Sequence, residues 1–430
     1  MDTTISSLGT PTFNSPLRLS GTRGDGMGCF VNDEARVRYQ AEFNTGDDLA
    51  ADVSFEKAGA RQKIFFDPAV TSAAIVTCGG ICPGLNNVIR SVAVELYHNY
   101  SVKRIVGIRY GFAGLNPSVG LLPFALDPEM VDHIHEHGGT ILGTSRGPQS
   151  SDIMVDTLMK YGINILICVG GDGTLRGARD IGETAMKRGL PIAVVGVPKT
   201  IDNDVKYVYR TFGVTTAIEH AREILECAHT EAKSVFNGVG LVKVMGREAG
   251  FIAAGATLAS QEVNFALIPE VPFKLEGPGG FLELLKDRLA RRHHAVVVVA
   301  EGAGQDLLTA ASETDASGNH KPADIGVYLK GQILDYCKRA GFPVDVKYFD
   351  PSYYIRSVPA SADDAILCDQ LARNAVHAGM AGKTNLVVSS WNGRFTHVPI
   401  SLATDGKKHV EIEGGLWSSV VACTGQPRRM

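Results

Sequence analysis

Two short polar turns carry the residues of this chain that are best suited to chemistry. The first, at residues 170–174, reads G-G-D-G-T and follows the apolar run 163–169. Its glycines let backbone N–H groups approach a polyphosphate, because glycine permits close approach and positive φ. The second turn follows the apolar run 192–197 and contains Asp202 and Asp204, two carboxylates two residues apart. A phosphate-binding turn and paired acids together predict phosphoryl transfer.

The segments that must position these turns have the pattern of an open α/β sheet. Both apolar runs have the β-branched density of parallel strands that are buried on both faces. Ligands of such sheets bind at the carboxyl ends of the strands, which is where both turns stand. Further strands are predicted over 72–77, 105–108, 238–244, 265–268, 295–300 and 384–390, with helices over 215–229, 249–259, 326–339 and 362–378. The alternation of predicted strands and helices along the chain predicts an α/β protein with mostly parallel sheets.

The bulk properties limit the classes of protein that need considering. A length of 430 residues allows two core-bearing domains plus an extension. A net charge of −4 gives no reason to expect nucleic acid or an anionic membrane as a partner. No signal-peptide pattern opens the sequence, no apolar run reaches about 18 residues, and the cysteines are scattered. We therefore expect reduced thiols and a cytoplasmic location.

Two stretches of the chain are polar and weakly patterned. Residues 1–70 are interpreted as an N-terminal extension that clasps the body of the protein or a neighbouring subunit. A disordered tail is the alternative for this stretch. Residues 305–320 are predicted to form a mobile loop.

Three further candidate positions each have two interpretations. The glycine turn around Gly80 opens a helix, so it either presents N–H groups to an anion or is a tight structural turn. Arg146 stands among small residues, as an arginine that reaches a phosphate would, but a surface salt bridge is the alternative. Glu301 follows the apolar run 295–300, where a carboxylate either accepts from a ligand hydroxyl or caps the turn.

With these residues in view, the chain resembles the phosphofructokinases over about residues 72–401. The motifs that carry the resemblance occur in the family's order: C-G-G-I-C-P-G-L-N, G-G-T-I-L-G-T-S-R-G, G-G-D-G-T, P-K-T-I-D-N-D, V-M-G-R, A-E-G and Y-Y-I-R. G-G-D-G-T alone is also similar to a loop of NAD kinases and diacylglycerol kinases, but V-M-G-R and Y-Y-I-R would have no purpose there. The resemblance implies two Rossmann-like lobes with mostly parallel sheets, the phosphofructokinase fold, plus the N-terminal extension.

The phosphoryl donor is indicated by two positions. Pyrophosphate-dependent members of the family resemble G-G-D-D with P-K-T-I-D-N-D, and bacterial ATP-dependent members resemble G-G-D-G with P-G-T-I-D-N-D. This chain combines Gly173 with Lys199, which resembles the atypical ATP-dependent branch of trypanosomatids and plants. An aspartate at position 173 would repel the α-phosphate of ATP, whereas glycine leaves uncharged space. We expect ATP as donor, with pyrophosphate as the alternative.

The resemblance implies a reaction and a set of catalytic roles. The chain is expected to phosphorylate the 1-hydroxyl of fructose 6-phosphate, giving fructose 1,6-bisphosphate, with Mg²⁺ as cofactor; a non-catalytic sensor on the same fold is the second class considered. Asp202 would be the general base, and Asp172 would bind the Mg²⁺. Thr200, Arg146 and Arg247 would stabilise charge on the transferred phosphoryl group.

The implied binding residues fall into two groups. The ATP site would be lined by Gly80, Arg146, Gly147, Gly171, Asp172, Gly173, Thr174 and Lys199. The sugar phosphate would be bound by Thr200, Ile201, Asp202, Met245, Gly246, Arg247, Glu301, Lys347, Tyr353, Tyr354, Ile355 and Arg356. Packing is an equal alternative for Met245 and Tyr354.

The resemblance also implies the division of the chain. We expect an extension over 1–70, an ATP- and Mg²⁺-binding lobe over 71–214 plus about 355–405, a sugar-phosphate lobe over 215–354, and a C-terminal segment over 406–430. The expected assembly is a homodimer or homotetramer. The effector site of the bacterial enzymes is expected to be absent, because the arginine of its second helix aligns with Val94 in this chain. Control by a nucleotide such as AMP is what the resemblance to the trypanosomatid members implies.

Overall fold

A computed structural model describes residues 1–42, 44–45, 53–308 and 323–430. Most of the predicted mobile loop 305–320 lies outside these residues. The chain divides into two compact units. Unit 1 comprises Met1–Thr200, Val205–Gly213 and Val358–Gly406, and unit 2 comprises Ile201–Asp204, Val214–Ser357 and Lys407–Met430.

The strands in chain order are β1 (Ser6–Ser7), β2 (Phe13–Asn14), β3 (Arg36–Arg38), β4 (Ser54–Lys57), β5 (Lys63–Ile64), β6 (Ser72–Thr77), β7 (Arg104–Ile108), β8 (Phe124–Ala125), β9 (Ile165–Gly170), β10 (Ala193–Pro198), β11 (Gly238–Val244), β12 (Phe265–Leu267), β13 (His294–Ala300), β14 (Asp345–Phe349), β15 (Lys383–Thr384), β16 (Leu386–Trp391) and β17 (Arg394–Pro399). The helices are α1 (Leu85–Val94), α2 (Ser151–Lys160), α3 (Asp172–Lys187), α4 (Val214–Lys233), α5 (Phe251–Ser260), α6 (Phe281–Arg292), α7 (Ile325–Arg339), α8 (Tyr354–Ser357), α9 (Ala362–Met380), α10 (Ile400–Ala403) and α11 (Gly415–Thr424). The described residues contain no helix that is both long and apolar enough to span a bilayer.

Unit 1 is built around a nine-stranded sheet of order β3-β4-β17-β16-β10-β9-β6-β7-β8. The five central strands from β16 to β7 are parallel, and the outer pairings are antiparallel. Every residue of β6, β9 and β10 is buried, which explains their continuous apolar runs. The predicted strands 72–77, 163–169 and 192–197 are confirmed to within about two residues.

The N-terminal extension is tied to the body of unit 1 by backbone pairing. Strand β1 pairs with β15, and β3 joins the large sheet through β4, which pairs with β17. At the last of these junctions, buried Glu56 accepts hydrogen bonds from Arg61 (3.0 Å), His397 (3.0 Å) and Lys383 (3.2 Å). The described residues of the extension therefore clasp the body, which was one of the two interpretations of this stretch.

Unit 2 has a smaller, four-stranded sheet of order β12-β13-β11-β14, and all of its pairings are parallel. Its apolar core lies between the strands and helices α6 and α7 and includes Val297, Phe281 and Leu329. The C-terminal residues belong to this unit: the Gln426 side chain accepts from the backbone N–H of Ala266 at the edge strand β12 (2.7 Å). Two α/β units with mostly parallel sheets confirm the predicted fold class.

Candidate active site

The G-G-D-G-T motif lies where β9 ends and α3 begins. Gly171 precedes the helix as its N-cap residue, and Asp172 and Thr174 stand in the first turn. A Cβ atom at Gly170 would lie 2.1 Å from Thr174 Oγ1, so this close approach requires glycine. A Cβ at Gly173 would meet no protein atom within 4 Å. The motif thus combines a helix N-terminus, which attracts anions, with open space at Gly173.

Three of the predicted donor-side segments meet in unit 1. Lys199 Nζ donates to the carbonyl of Gly80 (2.6 Å), and its backbone N–H donates to Gly170 (3.0 Å). The backbone N–H of Gly79 donates to Ser145 (3.1 Å), which connects the glycine turn after β6 to the segment that carries Arg146. The structure therefore brings together Gly80, Gly171, Lys199 and the residues next to Arg146. Close to them, the carbonyl of Thr200 accepts from Thr211 Oγ1 (2.6 Å).

Arg146 and Gly147 form an open part of this region. Arg146 is exposed and makes no ion pair with any residue that the structure describes. The alternative interpretation, a surface salt bridge, therefore has no support. Gly147 has φ = 102°, a left-handed conformation that favours glycine, and it sets the direction in which the chain leaves Arg146.

The donor-side residues fit Mg²⁺ as a cofactor. Both carboxylate oxygens of Asp172 are buried at the start of α3. In the described part of the chain, no three His, Cys, Asp or Glu side chains are grouped as a metal site would require. Mg²⁺ often takes one or two carboxylates and completes its shell with water and substrate phosphates. A single buried carboxylate beside a phosphate-binding turn suits that ion better than one that needs a protein cage.

Asp202 lies in unit 2, where its carboxylate is surrounded by other charges. The backbone N–H of Arg247 donates to Asp202 Oδ2 (3.4 Å). Burial, followed by the carboxylates of Asp204 and Glu301, raises the pKa of Asp202 to about 7, although the Arg247 N–H and Lys407 act in the opposite direction. A carboxylate with a pKa near the working pH is well suited to general base catalysis.

The V-M-G-R and A-E-G motifs are held together by neighbouring parallel strands. Val244 ends β11 opposite Ala300 at the end of β13, and the N–H of Glu301 donates to Val244 (2.9 Å). A Cβ at Gly302 would lie 1.8 Å from the carbonyl oxygen of Arg247, so the two turns are in close contact. Met245, Gly246, Arg247 and Glu301 therefore lie in one local cluster. Gly246 has φ = 131°, which favours glycine there.

Three basic side chains influence the carboxylate of Glu301. Burial raises the pKa of this carboxyl group, while Arg247, Lys243 and Arg356 act to lower it. The Glu301 carboxylate in turn acts to raise the pKa of Asp202. Glu301 therefore links Asp202, Arg247 and Arg356 electrostatically within unit 2.

The Y-Y-I-R motif forms the short helix α8. The Arg356 guanidinium lies 4.7 Å from the centroid of the Tyr353 ring, and its buried Nε has no hydrogen-bond partner among the described residues. That N–H can donate to an anion, as the predicted phosphate role requires. Ile355 is fully buried, and the Tyr354 ring contacts His220 at 5.5 Å. The side chain of Ile355 therefore packs in the core, which leaves its backbone for any ligand contact.

Two lysines of unit 2, Lys347 and Lys243, form ion pairs that were not predicted from the sequence. Lys347 pairs with Asp345 on its own strand (3.1 Å), and its predicted phosphate role stays a prediction. Lys243, which sequence reasoning missed, pairs with Asp324 (3.0 Å) and Asp350 (2.8 Å). Burial would lower the pKa of Lys243, but these two aspartates outweigh burial and raise it. The sequence feature that could have identified Lys243 is its position as the one charged residue in the apolar run 238–244.

Comparison with known proteins identifies the family of this chain. The phosphofructokinase family model matches residues 72–379. A protein of Borreliella burgdorferi called ATP-dependent 6-phosphofructokinase is 45% identical over 438 residues, covering 100% of this chain and 98% of the relative. A Trypanosoma brucei brucei protein of the same name is 46% identical over 368 residues, covering 85% of this chain and 75% of the relative. The chain belongs to the phosphofructokinase family, and the resemblance to trypanosomatid members is confirmed.

The fold is also that of solved family members. A crystal structure of a pyrophosphate-dependent phosphofructokinase from Marinobacter aquaeolei matches with a TM-score of 0.67, covering 83% of this chain and 91% of that one. The two sequences are 21% identical, so this similarity concerns the fold. The phosphoryl donor must be argued from the site and from the closer relatives.

Proposed function

We propose that this chain is a kinase of glycolysis that transfers the γ-phosphoryl group of ATP to the 1-hydroxyl of fructose 6-phosphate. The observation that carries the proposal is Asp202, a partly buried carboxylate whose pKa is raised to about 7 and whose Oδ2 accepts from the Arg247 N–H. The choice of ATP is supported by Gly173, whose side-chain position is open, and by relatives whose names specify ATP.

The proposed reaction is a direct transfer of the phosphoryl group from ATP to the sugar. Asp202 would accept the proton of the 1-hydroxyl as that oxygen bonds to the γ-phosphorus and the bond to ADP breaks. Arg146, Thr200 and Arg247 would stabilise the charge on the transferred group, each contributing about 3–4 kcal/mol to lowering the barrier. Lys199, held by the carbonyl of Gly80, would add positive charge on the donor side.

Sugar binding would use Arg356, Glu301 and their neighbours in unit 2. Arg356 would donate from its buried Nε to the 6-phosphate, with Tyr353 stacked beside it. Glu301, Met245 and Gly246 would contact the sugar, with Glu301 as an acceptor for its hydroxyls.

Mg²⁺ would be held by Asp172, whose buried carboxylate oxygens suit a hard cation. When bound, the ion would neutralise charge on the phosphates of the donor. We also propose a homodimer or homotetramer, on the basis of the family resemblance, and a cytoplasmic location.

Two assays test the function. Purified protein is mixed with fructose 6-phosphate and either ATP or pyrophosphate, and product formation is followed with each donor separately. We expect turnover with ATP, and turnover with pyrophosphate but none with ATP would refute the choice of donor. Asp202→Asn should lower kcat by about 10²–10⁴ while substrate still binds, because the proton acceptor is lost. An Asp202→Asn enzyme with unchanged kcat would refute the assignment of the base.

A further inference from the structure

The segment Lys407–Met430 lies beyond the residues that the family model matches, yet it belongs to unit 2 together with Asp202. It begins with two consecutive lysines, Lys407 and Lys408. No functional role was predicted for this segment from its sequence. Its first residues contact the turn that carries the proposed base.

The two lysines bind the two residues that follow Asp202. Lys407 Nζ lies 2.5 Å from Asp204 Oδ2, and Lys408 Nζ donates to Asn203 Oδ1 (2.9 Å). The backbone N–H of Lys408 also donates to the carbonyl oxygen of Asp204 (2.9 Å). Three contacts thus fix the backbone and the side chains directly after Asp202.

The turn needs such contacts for two physical reasons. Asn203 has φ = 56°, a left-handed conformation that a residue other than glycine adopts at a cost in free energy. Asp204 is 6% exposed, and a buried carboxylate is strongly unfavourable without a paired cation. Lys407 provides that cation, and Lys408 holds the strained residue.

Lys408 also contacts an aromatic ring. Its Nζ lies 5.1 Å from the centroid of the Phe251 ring, a cation–π distance. Burial lowers the pKa of Lys408 to about 7, and Asp204 acts against that shift. The Lys408 side chain is partly buried, and its ammonium group is held between the Phe251 ring and Asn203 Oδ1.

We propose that Lys407 and Lys408 are positioning residues for phosphoryl transfer: they hold the turn 202–204 so that Asp202 meets its substrate hydroxyl, and Lys407 also compensates the nearby carboxylates. This inference rests on the proposed function, in which Asp202 is the base. It extends the site to a segment without any family motif.

The electrostatic part of the proposal has a definite sign. Asp202 faces the carboxylates of Asp204 and Glu301, the N–H of Arg247 and the ammonium group of Lys407. Lys407 acts to lower the pKa of Asp202, so removing its positive charge should raise this pKa further. The acid limb of the pH–rate profile must then move to higher pH, because Asp202 acts as a base only when it is deprotonated.

The test uses the full chain with Lys407→Met, Lys408→Met and Lys407→Arg, and Lys338→Met as the matched control on an exposed lysine of α7. Turnover with ATP and fructose 6-phosphate is measured against pH, with KM for both substrates. Lys407→Met should lower kcat on the order of 10²-fold, the effect expected of a misplacement of about 1 Å, and move the acid limb upward. KM for ATP should be unchanged. Lys407→Arg should keep the acid limb at the pH of the wild type, because it keeps the positive charge. Lys408→Met should lower kcat but leave the acid limb at the wild-type pH.

The result that overturns the proposal is a Lys407→Met enzyme whose acid limb is that of the wild type, even if its melting temperature is lower. Should that variant not fold, Lys407→Met is compared in an Asp204→Asn background, where no unpaired carboxylate is buried. There we expect little further loss of kcat, and a further 10²-fold loss would show that Lys407 does not act through Asp204. If the wild type and Lys338→Met both lack turnover, the proposed function itself fails.

Discussion

Replacing Gly173 by aspartate tests the reason for expecting ATP as the donor. The Gly173→Asp variant should fold without steric strain, since a Cβ at this position meets no protein atom within 4 Å. Position 173 lies in the first turn of α3, where a negative charge interacts favourably with the helix dipole. Any loss of activity in Gly173→Asp would therefore come from the ligand rather than from the fold.

The size of the effect follows from the charge. Two negative charges about 4 Å apart repel by about 1 kcal/mol in water and by about 4 kcal/mol at the effective dielectric constant of a site near the protein surface. These values correspond to losses in kcat/KM for ATP of roughly 5-fold and roughly 10³-fold. Because the turn lies at a partly buried helix N-terminus, we expect a loss nearer the upper value.

The assay compares Gly173→Asp with Gly173→Asn, which has nearly the same shape without the charge. kcat/KM for ATP is measured at saturating fructose 6-phosphate, and the melting temperature of each variant checks its fold. We expect the Asn variant to keep far more ATP activity than the Asp variant. Equal losses in both would show that size, not charge, decides, and wild-type kcat/KM in the Asp variant would refute the reasoning altogether.

Two further predictions concern pH. Since the pKa of Asp202 is raised to about 7 and the base must be deprotonated, kcat/KM should fall about tenfold per pH unit below pH 7; an acid limb near pH 4 would contradict this. For Glu56, burial is outweighed by the hydrogen bond to His397 and by Lys383 and Arg61, and the pKa is lowered from 4.5 to about 2, a shift worth about 3 kcal/mol. That stability is present above about pH 4.5 and is lost as pH falls toward 2, so Glu56→Gln should lower the unfolding free energy at pH 7 but less at pH 3. The exposed Glu34→Gln is the control, and a pH-independent difference for Glu56→Gln would contradict the prediction.

The central strands could be predicted because burial on both faces leaves a clear mark in a sequence. β6, β9 and β10 are continuous apolar runs, and each ends at a motif. Elements with one exposed face, such as α2 and α6, have mixed patterns and were missed. The strands of the extension are two to four residues long, too short for any periodicity to show.

The site could be predicted where one motif supplies a whole turn. Gly171 to Thr174 and Met245 to Arg247 lie at strand ends, as the α/β pattern requires. Lys243 could not be assigned a partner in advance, because Asp324 and Asp350 reach it from separate elements more than 80 residues further along the chain. Lys347 was expected to bind phosphate from its charge and its place near Y-Y-I-R, and neither property reveals its pairing with Asp345.

The P-K-T-I-D-N-D motif contains more acidic than basic residues, so the positive charge that stabilises its buried acid must come from elsewhere in the chain. It has two acids at 202 and 204 but a single cation, Lys199, whose Nζ donates to the carbonyl of Gly80. Asp204 is buried, and the desolvation of a carboxylate must be offset by a paired charge. The structure supplies Lys407 from about 200 residues away. A buried acid in excess over the cations of its own motif therefore predicts a counter-ion elsewhere in the chain, and lysines outside the family motifs are the residues among which to look for it.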